Sequence, residues 1–416
     1  MSADRSLPLV HATADSRRAR PRHELIDALR GFALLGVFLV NLTFLSLYAL
    51  LPEDQRASLA TAKSDGIVAL AMSWLVDVKA ITVFSLLFGL GFALQMERGE
   101  AGGTRRHFRR MLGLAAIGIV HGWFIWWGDI LFTYAVVGLF LPVFRRAGAC
   151  TLIVLGLTFA LLLPPLMSSW VRPLLQGLPR AGEVYAQALQ AFGFGSWSDV
   201  LLQNIATARW ARVANWALLL FVLGRFLLGY WAGRVGLLQE PRRHRALLWR
   251  LFVGALIVGV LAMLVETFQT TWRQQFPLLN SEFCKYAIRV VMRAAPLALG
   301  VAGACGFVLL YLFEPAQRWL CRLAPVGRMA LTHYLLQSVI GIVLFYGIGL
   351  GIGPGPGLAA IMVVGAVIFV LQVIASHAWL RHFQFGPVEW LWRWFTYGRR
   401  PGLRRSALPV NKVDVA

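Results

Sequence analysis

The stretch GFALLGVFLVNLTFLSLYALL (Gly31–Leu51) decides the fold. It begins just after Arg30, carries one amide at Asn41, and stops at Pro52-Glu53-Asp54. At 1.5 Å of rise per residue, a helix of this length crosses a hydrocarbon core of ~30 Å. No water reaches that core, so a spanning segment satisfies its backbone as a helix and not as an open sheet. Ala147–Leu163 and Leu358–Ile374 read the same way. Ten such stretches are expected, over residues 26–51, 67–96, 110–127, 130–144, 147–170, 214–237, 251–268, 293–313, 328–351 and 358–380. The second is interrupted by Asp77 and Lys79, so its span proper is predicted over 80–97 with an amphipathic segment ahead of it. The fourth is short, which predicts a tight hairpin with the third around Gly128-Asp129.

Composition agrees with this class. Apolar residues make up 58% of the chain and charged residues 14%, against roughly half and a quarter in soluble domains. Mean hydropathy is +0.66. The formal charge of +21 would suit nucleic acid, but the arginines are spread over loops that flank apolar spans. There they set orientation and meet anionic inner-leaflet lipid, and a nucleic-acid partner is excluded.

Orientation follows from where those arginines fall. Arg98, Arg105, Arg106, Arg109 and Arg110, then Arg145 and Arg146, then Arg234, Arg242, Arg243, Arg245 and Arg250, then Arg318, Arg322 and Arg328 occupy alternate gaps. Both termini add more, from Arg17, Arg18, Arg20 and Arg22 to Arg399, Arg400, Arg404 and Arg405. They well outnumber the cations of the remaining gaps, so both termini are expected in the cytoplasm. The chain is therefore read as an all-α, polytopic integral membrane protein of about ten transmembrane helices in the bacterial inner membrane. Residues 1–25 form a basic cytoplasmic segment, 26–237 and 238–385 two membrane halves, and 386–416 an interfacial and basic tail. Gly31–Leu51 has no cleavage site after it, so it is an uncleaved span and not a signal peptide. The long loop 171–213, with Trp197, Asp199, Asn204 and Trp210, suits an interfacial helix or a lid over an outward-facing cavity.

Ionisable and amide groups at membrane depth each require an account. His121 lies about 16 Å above the inner end of its helix, counted from Arg110, and so at mid-membrane. Gly118 and Gly122 bracket it in a pattern that admits a close neighbour. Two readings stand: a general base, or an interhelical hydrogen bond that positions helices. Asp129 lies eight residues on, about 12 Å away if the helix continues, which puts it out of reach of His121 and favours a helix-capping role. An acid–base role requires the helix to break near Gly128. Asn41 is at similar depth, to hold a substrate carbonyl, orient His121 or join helices. Asp27 and Arg30 are spaced to pair, with Arg30 as an anchor or substrate contact. Arg225 and Glu266 are expected to form a structural ion pair. His333 and Gln337 lie where a phosphate-bearing donor reaches the inner side, or serve in packing, and Gln372 and His377 are also near membrane depth. Arg105, Arg106, Arg109 and Arg110 can grip phosphates, although the orientation rule already explains them. The four cysteines fit no metal spacing, and no hydrolase or nucleotide-binding motif appears in a suitable context.

Several blocks resemble a family. Ile26–Gly36 with Val40-Asn41, Phe84–Phe92, and Gly118, His121, Gly128–Leu131 and Tyr134-Ala135 resemble the YeiB-like family of bacterial membrane proteins. Gly327–Ser338 and Gly386–Arg393 resemble its domain of unknown function 418. The family is linked to transmembrane acyltransferases, including the acyltransferase-3 group and the lysosomal heparan N-acetyltransferase. The resemblance implies transfer of an acyl group from a cytoplasmic thioester, acyl-CoA being the cosubstrate, to an outward-facing envelope glycan or lipid. The acyltransferase-3 group has a catalytic histidine where this chain has Asn41, and residues 42–66 contain none. If the chemistry persists, His121 supplies it. The rival classes are a transporter or channel for a small or amphiphilic solute and a non-catalytic envelope protein.

Overall fold

The computed structural model describes residues 24–96 and 103–405. Residues 1–23 of the basic segment, Arg98, and 406–416 of the tail lie outside them. The described chain is helical throughout, with one isolated β-bridge, Phe383 to Arg404. The helices are α1 (Glu24–Leu45), α2 (Glu53–Ser58), α3 (Ala62–Leu75), α4 (Lys79–Met96), α5 (Gly103–Val120) and α6 (Leu131–Phe140). Then come α7 (Ala149–Leu157), α8 (Leu163–Leu174), α9 (Ala181–Phe194), α10 (Trp197–Ala214), α11 (Ala217–Val235) and α12 (Arg245–Gln275). The last are α13 (Glu282–Tyr311), α14 (Glu314–Leu320), α15 (Ala324–Arg328), α16 (Ala330–Phe345), α17 (Gly357–His382) and α18 (Pro387–Tyr397).

Among the described residues, eight stretches are helical, long and apolar enough to cross a membrane, and the bent pair 314–328 and 330–345, turned by 78°, makes a ninth if it is counted as one broken span. The fourth expected span, 130–144, is α6 extended by a 3-10 turn over Leu141–Arg146. Its α-helix has 10 residues, too few to cross a ~30 Å core alone at 1.5 Å of rise each. The protein is thus a polytopic, all-α membrane protein. Asp77 and Lys79 mark the break between α3 and α4, where Val78 adopts φ 58° and the Lys79 ammonium bonds the Ser73 carbonyl. A charge in a span is tolerated when backbone oxygens take the place of water.

The centre of the bundle is the pairing of α4 with α11. A Cβ at Gly89 would sit 2.0 Å from the Phe226 carbonyl oxygen, and one at Gly229 the same distance from that of Leu86. Only glycine permits this approach, and dispersion between the two backbones replaces a hydrophobic drive that lipid cannot supply. Phe88 stacks on Phe226 at 4.4 Å, with Tyr134 edge-on to both.

The two ends of the bundle differ in kind. At the arginine-rich end, α18 lies across α5 and α16. Arg109 donates to the Phe395 carbonyl (2.6 Å), the Trp392 indole donates to the Arg110 carbonyl (2.9 Å), and the Arg110 guanidinium sits over the Trp392 ring. Glu389 accepts the Leu331 and Thr332 N–H groups at 2.7 and 3.0 Å, capping α16 from another helix. Burial pushes its carboxyl above the ordinary range, against those donors. The tail expected to lie in the inner interface is therefore a docked helix. At the opposite end α9 and α10 cover the bundle. Phe192 stacks on Tyr346 at 4.8 Å, and its carbonyl accepts the Gly347 N–H at 2.8 Å.

Candidate functional site

α5 does not run on regularly past Val120. Residues His121–Ile125 form a π-turn, and Trp126 then takes φ −149°, ψ 124° and ends the helix. Such wide turns free backbone carbonyls, and here Asn204 of α10 takes them up: its amide donates to the Gly122 and Trp123 carbonyls at 3.2 and 2.8 Å. The following residues 126–130 fold back along α5 before α6 begins. The two glycines make room for this return. A Cβ at Gly118 would meet the Phe132 nitrogen at 2.4 Å, and one at Gly122 would meet the Asp129 Cβ at 3.0 Å and the Arg212 guanidinium at 2.8 Å.

The fold-back brings Asp129 to His121. His121 Nδ1 lies 2.9 Å from Asp129 Oδ1, and the two side chains are 1% and 0% exposed. This corrects the expectation that eight residues place them too far apart. The capping role also holds, because the second oxygen, Oδ2, accepts the Phe132 N–H at 2.9 Å in the first turn of α6. One carboxylate performs both tasks.

On its other side, His121 Nε2 lies 3.0 Å from the Ser338 hydroxyl of α16. A carboxylate only accepts, so Nδ1 donates to Asp129 and Nε2 accepts from Ser338. The hydroxyl's alternative acceptor, the Tyr334 carbonyl, is farther at 3.4 Å. The result is a continuous Ser338–His121–Asp129 chain, wholly buried, drawn from α16, the π-turn and the fold-back loop. Tyr334 closes it: its ring lies 5.1 Å from the imidazole and its hydroxyl accepts the Ile130 N–H at 3.4 Å. Arg212 of α10 stands beside Asp129, with its guanidinium over Phe132 at 5.1 Å. Burial lowers its pKa, while the Asp129 charge opposes that shift.

The other expected residues fall elsewhere. Asn41 is half-buried on α1, on the helix face of Leu34 and Val37, which share a cluster with Tyr134 and Tyr334. Among the described residues it makes no hydrogen bond to His121, and Asp129 makes that contact instead. Arg30 pairs with Asp27 at 2.8 Å, as expected, far toward the arginine-rich end. His333 and Gln337 face α17: His333 Nε2 meets the Ser376 hydroxyl at 2.6 Å, and Gln337 donates to Gln372 at 2.8 Å. Neither joins the His121 chain. His377 bonds the Val373 carbonyl of its own helix at 2.9 Å. Arg109 and Arg110 are engaged with α18, whereas Arg105 is exposed. The Arg225–Glu266 pair does not form among the described residues. Arg225 donates instead to Thr82 (2.8 Å) and the Phe221 carbonyl (3.2 Å), because α12 packs on α13 and turns Glu266 outward.

Sequence reading missed Ser338, Tyr334 and Arg212. Tyr334 and Ser338 have a helical i, i+4 spacing, one residue displaced from His333 and Gln337, the stripe of α16 that stands out in the sequence. Arg212 falls in the stretch 171–213 between expected spans, where a charge reads as ordinary.

Fold and site together define a class: helical multi-pass membrane proteins with a buried serine–histidine–aspartate chain. Residues 232–399 match the family model described as a protein of unknown function (DUF418). The chain is similar to the uncharacterized protein YxaH of Bacillus subtilis (strain 168), 31% identical over 90% of this chain and 94% of the relative. It is also similar to the uncharacterized protein YeiB of Escherichia coli (strain K12), 28% identical over 94% and 99% of the two chains. An uncharacterized 39.9 kDa protein from the amylase 3' region of Bacillus acidopullulyticus is 26% identical over 90% and 94%. The chain belongs to this YeiB-like DUF418 family. Ser338 lies inside the matched region, whereas His121 and Asp129 lie before it, so the chain of hydrogen bonds crosses between the two.

Proposed function

We propose that this protein is an acyltransferase of the bacterial inner membrane. It would pass an acyl group from a thioester such as acyl-CoA, on the arginine-rich side, to a hydroxyl of an envelope glycan or lipid on the other. The observation that carries this reading is the Ser338–His121–Asp129 chain, with its bonds of 3.0 and 2.9 Å. A hydroxyl is a weak nucleophile until a base takes its proton, and an imidazole held by a carboxylate is such a base. Ser338 Oγ attacks the thioester carbonyl as its proton passes to His121 Nε2. The C–S bond breaks and the thiolate leaves with that proton, giving an acyl-Ser338 ester. The acceptor hydroxyl then gives its proton to His121 while its oxygen attacks the ester carbonyl. The C–Oγ bond breaks and His121 returns the proton to Ser338. Asp129 fixes the tautomer and offsets the transient imidazolium charge, and burial strengthens that attraction. Arg105, exposed on α5, is available to the donor's phosphates.

A second reading, a conduit for a small solute, is favoured by one observation. Among the described residues, His333 Nδ1, Gln337 Oε1 and Gln372 Nε2 are buried without partners between α16 and α17. The two readings separate in reconstituted vesicles given acyl-labelled acetyl-CoA. Acyl transfer predicts label on the peptide that contains Ser338, lost in Ser338→Ala. Thioester turnover undiminished in Ser338→Ala removes Ser338 as the carrier, and solute flux without turnover supports the conduit.

A further inference from the structure

The hairpin of α12 and α13 stands partly off the bundle. α12 packs chiefly on α13, and between this hairpin and α1, α4, α7 and α11 lies a cavity of about 420 Å³. Its walls are almost wholly apolar, with Leu29, Leu87, Leu161, Trp231 and Ala298 among them. Gly254 of α12 also lines it, and a Cβ added there would meet nothing within 4 Å. α4 is the partition from the His121 site: Ser85 bonds Tyr134 at 2.7 Å, while Leu87 faces the cavity. The cavity is therefore separate from the chemistry proposed above and independent of it.

A second compartment of about 530 Å³ adjoins it at the arginine-rich end. Leu238 lines both, and Leu25 and Leu29, one turn apart on α1, line one each. This compartment is mixed, with Glu24, Gln239, Glu240, Arg242 and Arg243 in its wall beside Leu25 and Tyr311. Arg243 is paired with Glu240 at 3.2 Å, and Gln239 donates to the Gly233 carbonyl at 2.8 Å. Gln239 Oε1, however, is buried without a donor among the described residues. A chamber with charged and amide groups in its wall, which offers a guanidinium and an acceptor unmet among the described residues and adjoins an apolar chamber past one leucine, matches an amphiphile.

We infer that a bilayer phospholipid binds between the α12–α13 hairpin and the bundle, with its headgroup at Arg242 and Gln239 and an acyl chain in the cavity beyond Leu238. The phosphate meets Arg242, and a headgroup ammonium or hydroxyl supplies the donor that Gln239 Oε1 lacks. The acyl chain fills space that would otherwise cost the hairpin its dispersion contacts. Phosphatidylethanolamine and phosphatidylglycerol share this chemistry, whereas diacylglycerol has the chains without the phosphate.

The test uses the full chain in a mild neutral detergent, delipidated and then exposed to each of these three lipids, with retained lipid read by native mass spectrometry. About one phospholipid per chain is expected to be retained, and diacylglycerol about tenfold less well. Whichever phospholipid is retained better identifies the headgroup donor. Gly254→Phe places a ring in the cavity and should lower phospholipid retention by about tenfold, whereas Gly254→Ala should not. Arg242→Gln leaves the cavity intact and should lower retention of both phospholipids toward that of diacylglycerol. A monodisperse wild-type chain that retains no phospholipid overturns the inference. So does equal retention of diacylglycerol, or a folded Gly254→Phe protein that retains as much lipid as the wild type.

Discussion

α16 carries two polar stripes one residue apart, and they are satisfied to very different degrees. Tyr334 and Ser338 face α5 and the fold-back loop, where serine, imidazole and carboxylate form a continuous chain and every bond has a donor and an acceptor. His333 and Gln337 face α17, where Ser376 and Gln372 each meet them once and three polar atoms remain without partners among the described residues. Both stripes are buried at membrane depth. A satisfied buried network fixes geometry, and a partly satisfied one leaves groups that a ligand or water completes. The contrast separates a stripe built to hold atoms in place from one built with spare capacity.

The largest expected effect falls on the satisfied stripe. His121→Asn keeps a hydrogen-bonding side chain of similar size but cannot titrate near neutral pH. It should insert and elute as the wild type does yet lose ~10²–10⁴-fold in thioester turnover, the usual contribution of general base catalysis. Turnover in detergent with saturating acetyl-CoA measures this, beside a size-exclusion profile. A well-folded His121→Asn protein with full turnover would remove the histidine from the chemistry and leave both stripes structural.

A smaller effect is expected at the support of that stripe. Asn204→Ala leaves the Gly122 and Trp123 carbonyls without their donor, and an unmet buried polar group costs ~1–3 kcal/mol. A lower thermal midpoint in detergent should therefore accompany reduced turnover, because the π-turn that carries His121 is no longer held. An unchanged midpoint would mean that the π-turn holds His121 without α10.

Much of this fold was legible in the sequence, because membrane spans are set by length and apolarity alone. The α3–α4 break at Asp77 and Lys79 and the hairpin at Gly128-Asp129 fell where their charges and glycine indicated. The site was legible only in part. His121 and its two glycines stood out, since an imidazole amid apolar residues is costly and small neighbours announce a close approach. The Asp129 partnership did not, because rise per residue assumes a regular helix, and a π-turn followed by an extended residue abolishes that assumption. Arg225 failed for a related reason: the carboxylate on the next span, Glu266, lies on a helix that packs chiefly against α13. Ser338 is a common residue on an apolar helix, and nothing but the position of α5 distinguishes it from Ser376.

The smallest effect is expected at the unsatisfied stripe, and it tests the contrast from the other side. Gln337 and Gln372 share one hydrogen bond and leave one atom each unmet. Removing a single partner, as in Gln337→Leu, strands the Gln372 amide and should cost ~1 kcal/mol or more. Replacing both together by leucine strands nothing, trades polar for apolar burial, and should leave stability within about 1 kcal/mol of the wild type or raise it. Acyl transfer should persist in the double variant, since neither glutamine touches the His121 chain. The thermal midpoints of the single and double variants, read beside turnover, give the comparison directly. A double variant that keeps its stability but loses turnover would join the two stripes into one functional unit. A double variant less stable than either single one would show that the three unmet atoms are completed in the membrane, and that the second stripe is as closed as the first.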